Sequence, residues 1–180
     1  NTWLDAGVVH EWCRGFDSED GHPRYVGSKG MSGIAKHLAQ GLDVRTNALV
    51  FSLERTASGY NVVTDDGIAH ACDKVLLTAP IPQSFSLMFG GAIEMPDEMR
   101  TIDYDRTLGL LAVLDSANHN VKSPGGMQNP DDVFSFVGDN STKGISATHA
   151  LTFHANPEWS RTHFDLELDE IHSLLLTAAR

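Results

Sequence analysis

The sequence has 180 residues, of which 41% are hydrophobic, and its formal net charge is −11. This acidic composition disfavours nucleic acid as a partner, because phosphate binding needs clustered Lys and Arg side chains. No apolar run is long enough to span a bilayer, so we expect no membrane partner. Two cysteines, Cys13 and Cys72, cannot form a disulfide framework, and the expected location is the reducing cytoplasm.

The first half of the chain predicts a helix followed by a small antiparallel sheet. Residues 1–23 are mixed, with a short amphipathic piece containing Trp3 and Trp12 before a turn-rich loop. Apolar residues at helical spacing predict a helix over residues 30–40. The sequence Asp65-Asp66-Gly67 is a strong hairpin signal. We therefore expect a lead-in strand at Val44 and three further strands, at residues 49–53, 60–64 and 68–72.

The second half predicts alternating strands and helices. A nearly continuous apolar run at residues 74–78 is typical of a strand buried on both faces, and Pro80 and Pro82 end it. The remaining predicted elements are a short helix at residues 82–89, strands at 107–115, 133–137 and 150–154, a loop at 116–131, and an amphipathic helix from Leu168. The pattern predicts a mixed α/β (α+β) fold with antiparallel pieces.

Three stretches carry a resemblance to a known family. The stretch RYVGSKGMSGIAKHL at residues 24–38, the ending TAPIPQ at 78–83, and HANPEWSR at 154–161 together resemble renalase-like FAD-dependent oxidoreductases of the flavin amine oxidase superfamily. Asn156 stands where a serine is expected. The resemblance implies part of a glutathione-reductase-like two-domain fold. Residues 1–41 would form a linker and a helix from the substrate side, 42–81 the meander and strand of the FAD-binding domain, and 82–180 an incomplete substrate-binding domain.

The resemblance also implies an activity and a cofactor. The expected enzyme is an FAD-dependent oxidase that passes a hydride from a dihydronicotinamide dinucleotide or an amine to flavin, with oxygen as the expected acceptor. The family's GxGxxG motif, which holds the FAD pyrophosphate at a helix N-terminus, does not occur in this sequence. The sequence also contains no match to the family's C-terminal segment, which closes over the flavin. We therefore expect an internal fragment, inactive by itself, that does not hold FAD tightly.

Four residues are candidates for contact with FAD. The resemblance implies that the backbone of Val44, at the start of the meander, lies against the adenine ring. Thr78, Ala79 and Pro80 follow the predicted buried strand, at the end where α/β sheets bind ligands. Each residue has an ordinary structural role as its alternative.

His154 and Asn140 are the candidate catalytic residues. Strand alternation directs Leu151 and Phe153 to the core, which leaves His154 facing a cavity or solvent. There an imidazole could orient or donate to a nicotinamide-type substrate. Asn140 follows another predicted strand and is a similar candidate. A structural histidine and a turn asparagine are the alternatives.

Three further residues are candidate substrate contacts. Arg24 and Tyr25, which precede the first predicted helix, could contact a bound dinucleotide, and an exposed surface pair is the alternative. Trp159 could wall the substrate cavity or pack in the core.

Two other functions fit the sequence. The lack of a pyrophosphate motif favours a non-catalytic module that binds a nucleotide or a protein partner. A flavin enzyme of another branch, such as a protoporphyrinogen- or phytoene-type desaturase, fits the meander but not the HANPEWSR stretch.

Overall fold

The structure is a computed structural model that describes residues 2–16, 18 and 20–180. The chain divides into two compact units, one formed by residues 1–42 together with 105–180, and the other by residues 43–104. We call the second the inserted unit. It includes residues 82–104, which were expected to begin the substrate-binding domain. The assignment of the expected segments to FAD-binding and substrate-binding domains stays a prediction.

The described part of the chain contains nine strands and six helices. Residues 1–42 contain α1 (Thr2–Asp5), β1 (Val9–Cys13), β2 (Arg24–Gly27) and α2 (Ser32–Leu38). The inserted unit contains β3 (Val50–Arg55), β4 (Tyr60–Thr64), β5 (Ala69–Cys72), α3 (Ile81–Gly90) and α4 (Asp97–Arg100). Residues 105–180 contain β6 (Gly109–Val113), β7 (Gly126–Gln128), β8 (Phe134–Asp139), β9 (Ala150–Ala155), α5 (Pro157–His163) and α6 (Leu168–Ala178).

The first unit contains an antiparallel sheet with the strand order β6-β9-β8-β7. Phe153 in β9 pairs with Leu110 in β6 and Val137 in β8, so these three side chains share one face. The hydrophobic core lies on this face and includes two residues of α6, Ile171 and Leu175. Leu151 and Phe153 are buried whereas His154 is exposed, which confirms the alternation predicted for this strand.

The meander of the inserted unit is confirmed. The strands β3, β4 and β5 pair antiparallel in sequence order, and β4 has the predicted bounds. Between β4 and β5, Asp66 Oδ1 accepts hydrogen bonds from Thr64 Oγ1 at 2.6 Å and from the Ile68 amide at 3.1 Å. Gly67 has a φ of 82°, a conformation that glycine adopts without steric cost. The turn chemistry read from the sequence therefore forms this hairpin.

The buried strand predicted at residues 74–78 is wrong. These residues form no strand and join no sheet within the described part of the chain, and Leu76 is 87% exposed. The lead-in strand at Val44 is also wrong, since Val44 lies outside any strand and is 56% exposed. An apolar extended segment becomes a buried strand only where neighbouring strands supply hydrogen bonds and cover its side chains. The sheet of the inserted unit consists of β3, β4 and β5, which leaves both segments unpaired.

The structure also contains elements that the sequence analysis missed. Residues 9–13, expected to belong to an amphipathic piece, and residues 24–27, assigned to no element, form the β1–β2 hairpin with Val9 paired to Gly27. β7 lies within the predicted loop at residues 116–131. α5 begins where a strand was expected to stop, because Asn156 Oδ1 caps it by accepting from the Trp159 amide at 2.7 Å.

The predicted helices are confirmed within a few residues as α2, α3 and α6. Among the described residues, no helix is long and apolar enough to cross a membrane. The same residues contain no group of three or more His, Cys, Asp or Glu side chains placed to hold a metal ion.

Candidate functional site

The face of the four-stranded sheet opposite the core is the candidate site, and we call it the open face. His154 in β9 pairs with Phe136 in β8, and its ring lies edge-on to that of Phe136 at a centroid distance of 5.9 Å. Thr152, two residues before His154, shares this face. Leu111 in β6, which pairs with Thr152, is 78% exposed. The open face is therefore accessible in this structure, whereas the core face is covered by α6 and lines a cavity of about 640 Å³.

Three aromatic rings gather at one side of the open face and form what we call the aromatic cluster: Trp12, Phe16 and Phe136. Ring centroids are 5.1 Å apart for Trp12 and Phe16, 5.6 Å for Phe16 and Phe136, and 6.4 Å for Trp12 and Phe136. Trp12 Nε1 donates to the Pro124 carbonyl at 2.7 Å, which fixes the indole. Gly126 lies below the cluster, where an added Cβ would sit only 2.6 Å from the Phe16 ring.

Lys143 extends back over the sheet into the aromatic cluster. Its Nζ is 4.5 Å from the centroid of Trp12 and 5.3 Å from that of Phe136. Gly138 leaves room for this path, because a Cβ at that position would lie 2.8 Å from Nζ. Burial lowers the pKa of Lys143, while the nearby Asp139 charge raises it. The open face therefore carries a partly desolvated ammonium in contact with aromatic rings.

The turn that follows β8 holds Lys143 in place. Asp139, which is 3% exposed, accepts at Oδ1 from the amide and the hydroxyl of Ser141, at 2.9 and 2.6 Å. Its Oδ2 accepts from the Thr142 hydroxyl at 2.5 Å. Burial raises the pKa of Asp139, but the hydrogen bonds from Ser141 and Thr142 outweigh it and lower the value to about 2. The carboxylate is thus a fixed anion that ties the turn together.

Asn140, a predicted catalytic residue, lies beside the open face. Its Nδ2 donates to Thr152 Oγ1 at 2.9 Å, and its amide donates to the Ala150 carbonyl at 2.8 Å. The first bond ties the side chain to the same strand and face as His154. The structure thus brings together the two predicted catalytic residues through Thr152, while their roles in catalysis stay predictions.

The predicted substrate contacts separate in the structure. The Arg24 guanidinium lies 4.8 Å from the centroid of Phe16 and pairs with Asp20 at 2.7 Å, which places it at the rim of the aromatic cluster. Tyr25, the next residue of β2, is 39% exposed and points to the other side of that strand. Trp159 stacks on His163 at 4.0 Å and packs against the hydrophobic core. Trp159 is thus partly buried beside the core in this structure, and its contact with a substrate stays a prediction.

The predicted FAD contacts belong to the inserted unit. Val44, Thr78, Ala79 and Pro80 are all exposed and lie outside its sheet. The Ala79 carbonyl accepts from Ser84 Oγ at 2.8 Å, so this corner is anchored to α3. Their contact with the adenine ring of FAD stays a prediction. No glycine-rich turn in the sequence fits a pyrophosphate, so these residues are suited to the adenosine end of FAD alone.

Sequence reasoning missed Lys143 and the aromatic cluster. The available signal was the stretch Gly138 to Gly144, in which Asp139 precedes Ser141 and Thr142 in the pattern of a side-chain-capped turn. Such a pattern predicts that the chain reverses there. It does not indicate which side chain returns to the sheet.

The comparison with protein families gives the class to which this fold and site correspond. Residues 8–106, more than half of the chain, match the family described as flavin containing amine oxidoreductase. The chain therefore belongs to the flavin-containing amine oxidoreductase family. Enzymes of this family use FAD, as expected from the sequence, and the match does not distinguish a renalase-like branch.

Among the proteins similar to this chain are two relatives and one solved structure. Lysine-specific histone demethylase 1B of Mus musculus is 33% identical over 87 residues, which are 46% of this chain and 10% of the relative. Polyamine oxidase 4 of Oryza sativa subsp. japonica is 38% identical over 84 residues, 44% of this chain and 17% of the relative. The chain thus spans less than a fifth of either relative.

The solved structure shows the fold alone. It comes from Exiguobacterium sp. 255-15 and is described as a candidate protoporphyrinogen oxidase. The TM-score is 0.61 at 18% identity, and the match covers 86% of this chain and 34% of the other. The mixed α/β architecture with antiparallel sheets therefore matches part of the fold of that protein.

Proposed function

We propose that this chain forms the substrate-facing sheet and part of the cofactor-binding region of an FAD-dependent oxidase in the cytoplasm. The observation that carries the proposal is the open face, on which His154 is exposed beside Phe136 while the other face of the same sheet carries the buried hydrophobic core. Flavin, when bound, accepts the hydride, and the protein supplies orientation and exclusion of water. Family membership supports the flavin chemistry.

The substrate class that we propose is a dihydronicotinamide dinucleotide, with oxygen as the electron acceptor. Its flat ring can pack beside Phe136, and its carboxamide can accept a hydrogen bond from the exposed His154 imidazole. Asn140 holds Thr152 on the same face, which leaves a polar edge next to the imidazole. His154 would therefore orient the ring rather than exchange covalent bonds with it.

An amine is the second candidate substrate. The names of the rice and mouse relatives refer to a polyamine and to a histone lysine, and both relatives match close to half of this chain. The expected difference between the two substrate classes is charge, because an alkyl amine is protonated at neutral pH whereas a dihydronicotinamide ring is not.

Replacing His154 tests the proposed function. In the natural protein that carries this sequence, loaded with FAD, we expect His154→Ala to slow flavin reduction about 10²-fold, the loss typical of a group that orients a reacting centre. Because His154 is exposed, its removal should leave the melting temperature nearly unchanged. Stopped-flow absorbance of the flavin and a melting curve measure the two effects.

The matched control is His172→Ala, which removes an exposed histidine on α6. It should change neither flavin reduction nor stability. A normal rate of flavin reduction in His154→Ala would mean that His154 has a structural role. Failure of the unmodified natural protein to bind FAD would instead favour the non-catalytic binding module.

A further inference from the structure

We propose that Lys143 determines the substrate charge that the open face accepts. Its ammonium occupies the aromatic cluster, so the face selects a neutral or anionic planar substrate and rejects a protonated amine. The inference rests on the proposed function, because it requires the open face to meet the substrate. It names a specificity-determining residue that lies outside the residues predicted from the sequence.

The aromatic cluster is a cation-binding arrangement whose cation is already present. Aromatic faces attract an ammonium within about 6 Å of the ring centroid. Lys143 Nζ satisfies this distance to both Trp12 and Phe136. Trp12 is fixed by its hydrogen bond to Pro124, so the ring cannot turn away to receive a second cation without losing that bond. A protonated amine would therefore have to displace Lys143.

Displacing Lys143 is costly because hydrogen bonds hold both its backbone carbonyl and its backbone amide in place. His10 Nε2 donates to the Lys143 carbonyl at 2.8 Å. The Lys143 amide donates to the Asp139 carbonyl at 3.0 Å, and Asp139 itself is held by Ser141 and Thr142. The side chain then crosses Gly138, where a larger residue would collide with it. Lys143 is thus built into the face, unlike a lysine whose side chain moves freely in solvent.

The charges around the aromatic cluster offset the ammonium only in part, because burial of Lys143 outweighs the attraction of its nearby carboxylate. That carboxylate is Asp139, whose oxygens accept from Ser141 and Thr142 and whose Oδ2 lies 3.4 Å from His119 Nε2. Arg24, over Phe16, adds a second cation at the rim, paired with Asp20. An incoming ammonium would meet repulsion from Lys143 in a partly desolvated place, where screening is weak.

The positive charge of Lys143 favours both the binding of a reduced dinucleotide and the release of its oxidised form. A dihydronicotinamide dinucleotide carries an anionic pyrophosphate, which an ammonium attracts. Loss of a hydride, with its two electrons, to the flavin converts the neutral ring into a nicotinamide cation. Lys143 would repel that cation and favour its release. We therefore expect reduced dinucleotide to bind more tightly than oxidised dinucleotide, and both more tightly than a polyamine.

The test measures binding rather than turnover. The natural protein is loaded with FAD, the flavin is reduced beforehand with dithionite so that NADH is not consumed, and NADH, NAD⁺ and spermidine are titrated anaerobically by calorimetry. We expect Lys143→Met to weaken NADH binding and to strengthen spermidine binding, each by about tenfold. Lys143→Arg keeps the charge and should leave the ratio of the two dissociation constants within about twofold.

The control is Lys36→Met, which removes an exposed lysine on α2 in the same unit. It should change neither affinity. If Lys143→Met does not fold, Lys143→Gln removes the same charge with a polar side chain. An unchanged spermidine-to-NADH ratio in the folded variant would overturn the inference, as would spermidine binding more tightly than NADH to the unmodified protein. The proposed function fails separately, if no substrate reduces the flavin in the unmodified protein.

Discussion

Asp139 shows how one buried carboxylate can control the position of a neighbouring functional group. Its oxygens accept from Ser141 and Thr142, and this turn is what directs Lys143 back over the sheet. The folded pKa of about 2 lies below the ordinary value of 3.8, so the ionised carboxylate is bound more favourably in the folded state than in the unfolded state. Its contribution to stability is present above about pH 4 and is lost as the pH falls through about 2.

Asp139→Asn should remove this contribution. At neutral pH we expect a loss of about 2 kcal/mol in the free energy of unfolding, since hydrogen bonds to a charged acceptor become bonds to a neutral one. The difference from the unmodified chain should shrink as the pH falls from 4 to 2. Urea titrations at several pH values measure it. Asp165→Asn, at a 90% exposed side chain, is the control, and an equal pH dependence for both variants would contradict the assignment.

The orientation of His154 could be predicted from the sequence, whereas the position of Lys143 could not. Alternation along β9 is a local property of a strand, so Leu151 and Phe153 were enough to place His154. The position of Lys143 depends on partners far along the chain, such as His10, which is 133 residues away. Trp159 shows a second limit of prediction from sequence. Residue type alone does not decide whether an aromatic side chain packs at a core or lines a substrate cavity.

At the scale of elements, local turn chemistry was predictable and pairing was not. The meander followed from the signal at residues 65–67, which is read within a few residues. The run at residues 74–78 has the composition of a central strand, but composition cannot supply the neighbouring strands. β1 and β2 were missed for a related reason, because ten residues separate two strands that only pairing reveals.

The N-cap of α5 gives a prediction at this scale. Asn156 caps the helix through Trp159 and also donates from Nδ2 to the Asp132 carbonyl. Asn156→Ala should lower the free energy of unfolding by about 1 kcal/mol, the usual cost of a lost cap. Asn156→Ser, the residue expected from the family resemblance, keeps a capping oxygen and should lose less. Thermal or urea unfolding ranks the variants, and an alanine variant as stable as the serine variant would contradict the role of the cap.

For the whole molecule, the main question is how much of the cofactor site the chain provides. Val44 and Ala79 are exposed and are predicted to contact the adenosine end, while the sequence lacks the glycine-rich turn for the pyrophosphate. We expect the purified 180-residue chain to be colourless and the natural protein that carries it to be yellow. Visible absorbance after gel filtration with added FAD measures this. A stoichiometric flavin spectrum from the 180-residue chain would show that the pyrophosphate cradle is dispensable.

The division of the chain also affects the order in which it folds as it is made. Ribosomes release a chain from its N-terminus at about 5–20 residues per second. Trp12 and Phe16 therefore emerge several seconds before Phe136 and Gly126, the residues that they pack against. Residues 43–104, which are contiguous, can complete their own contacts during this interval. While the ribosome synthesises the inserted unit, the nascent β1–β2 segment presents apolar rings to which a chaperone can bind.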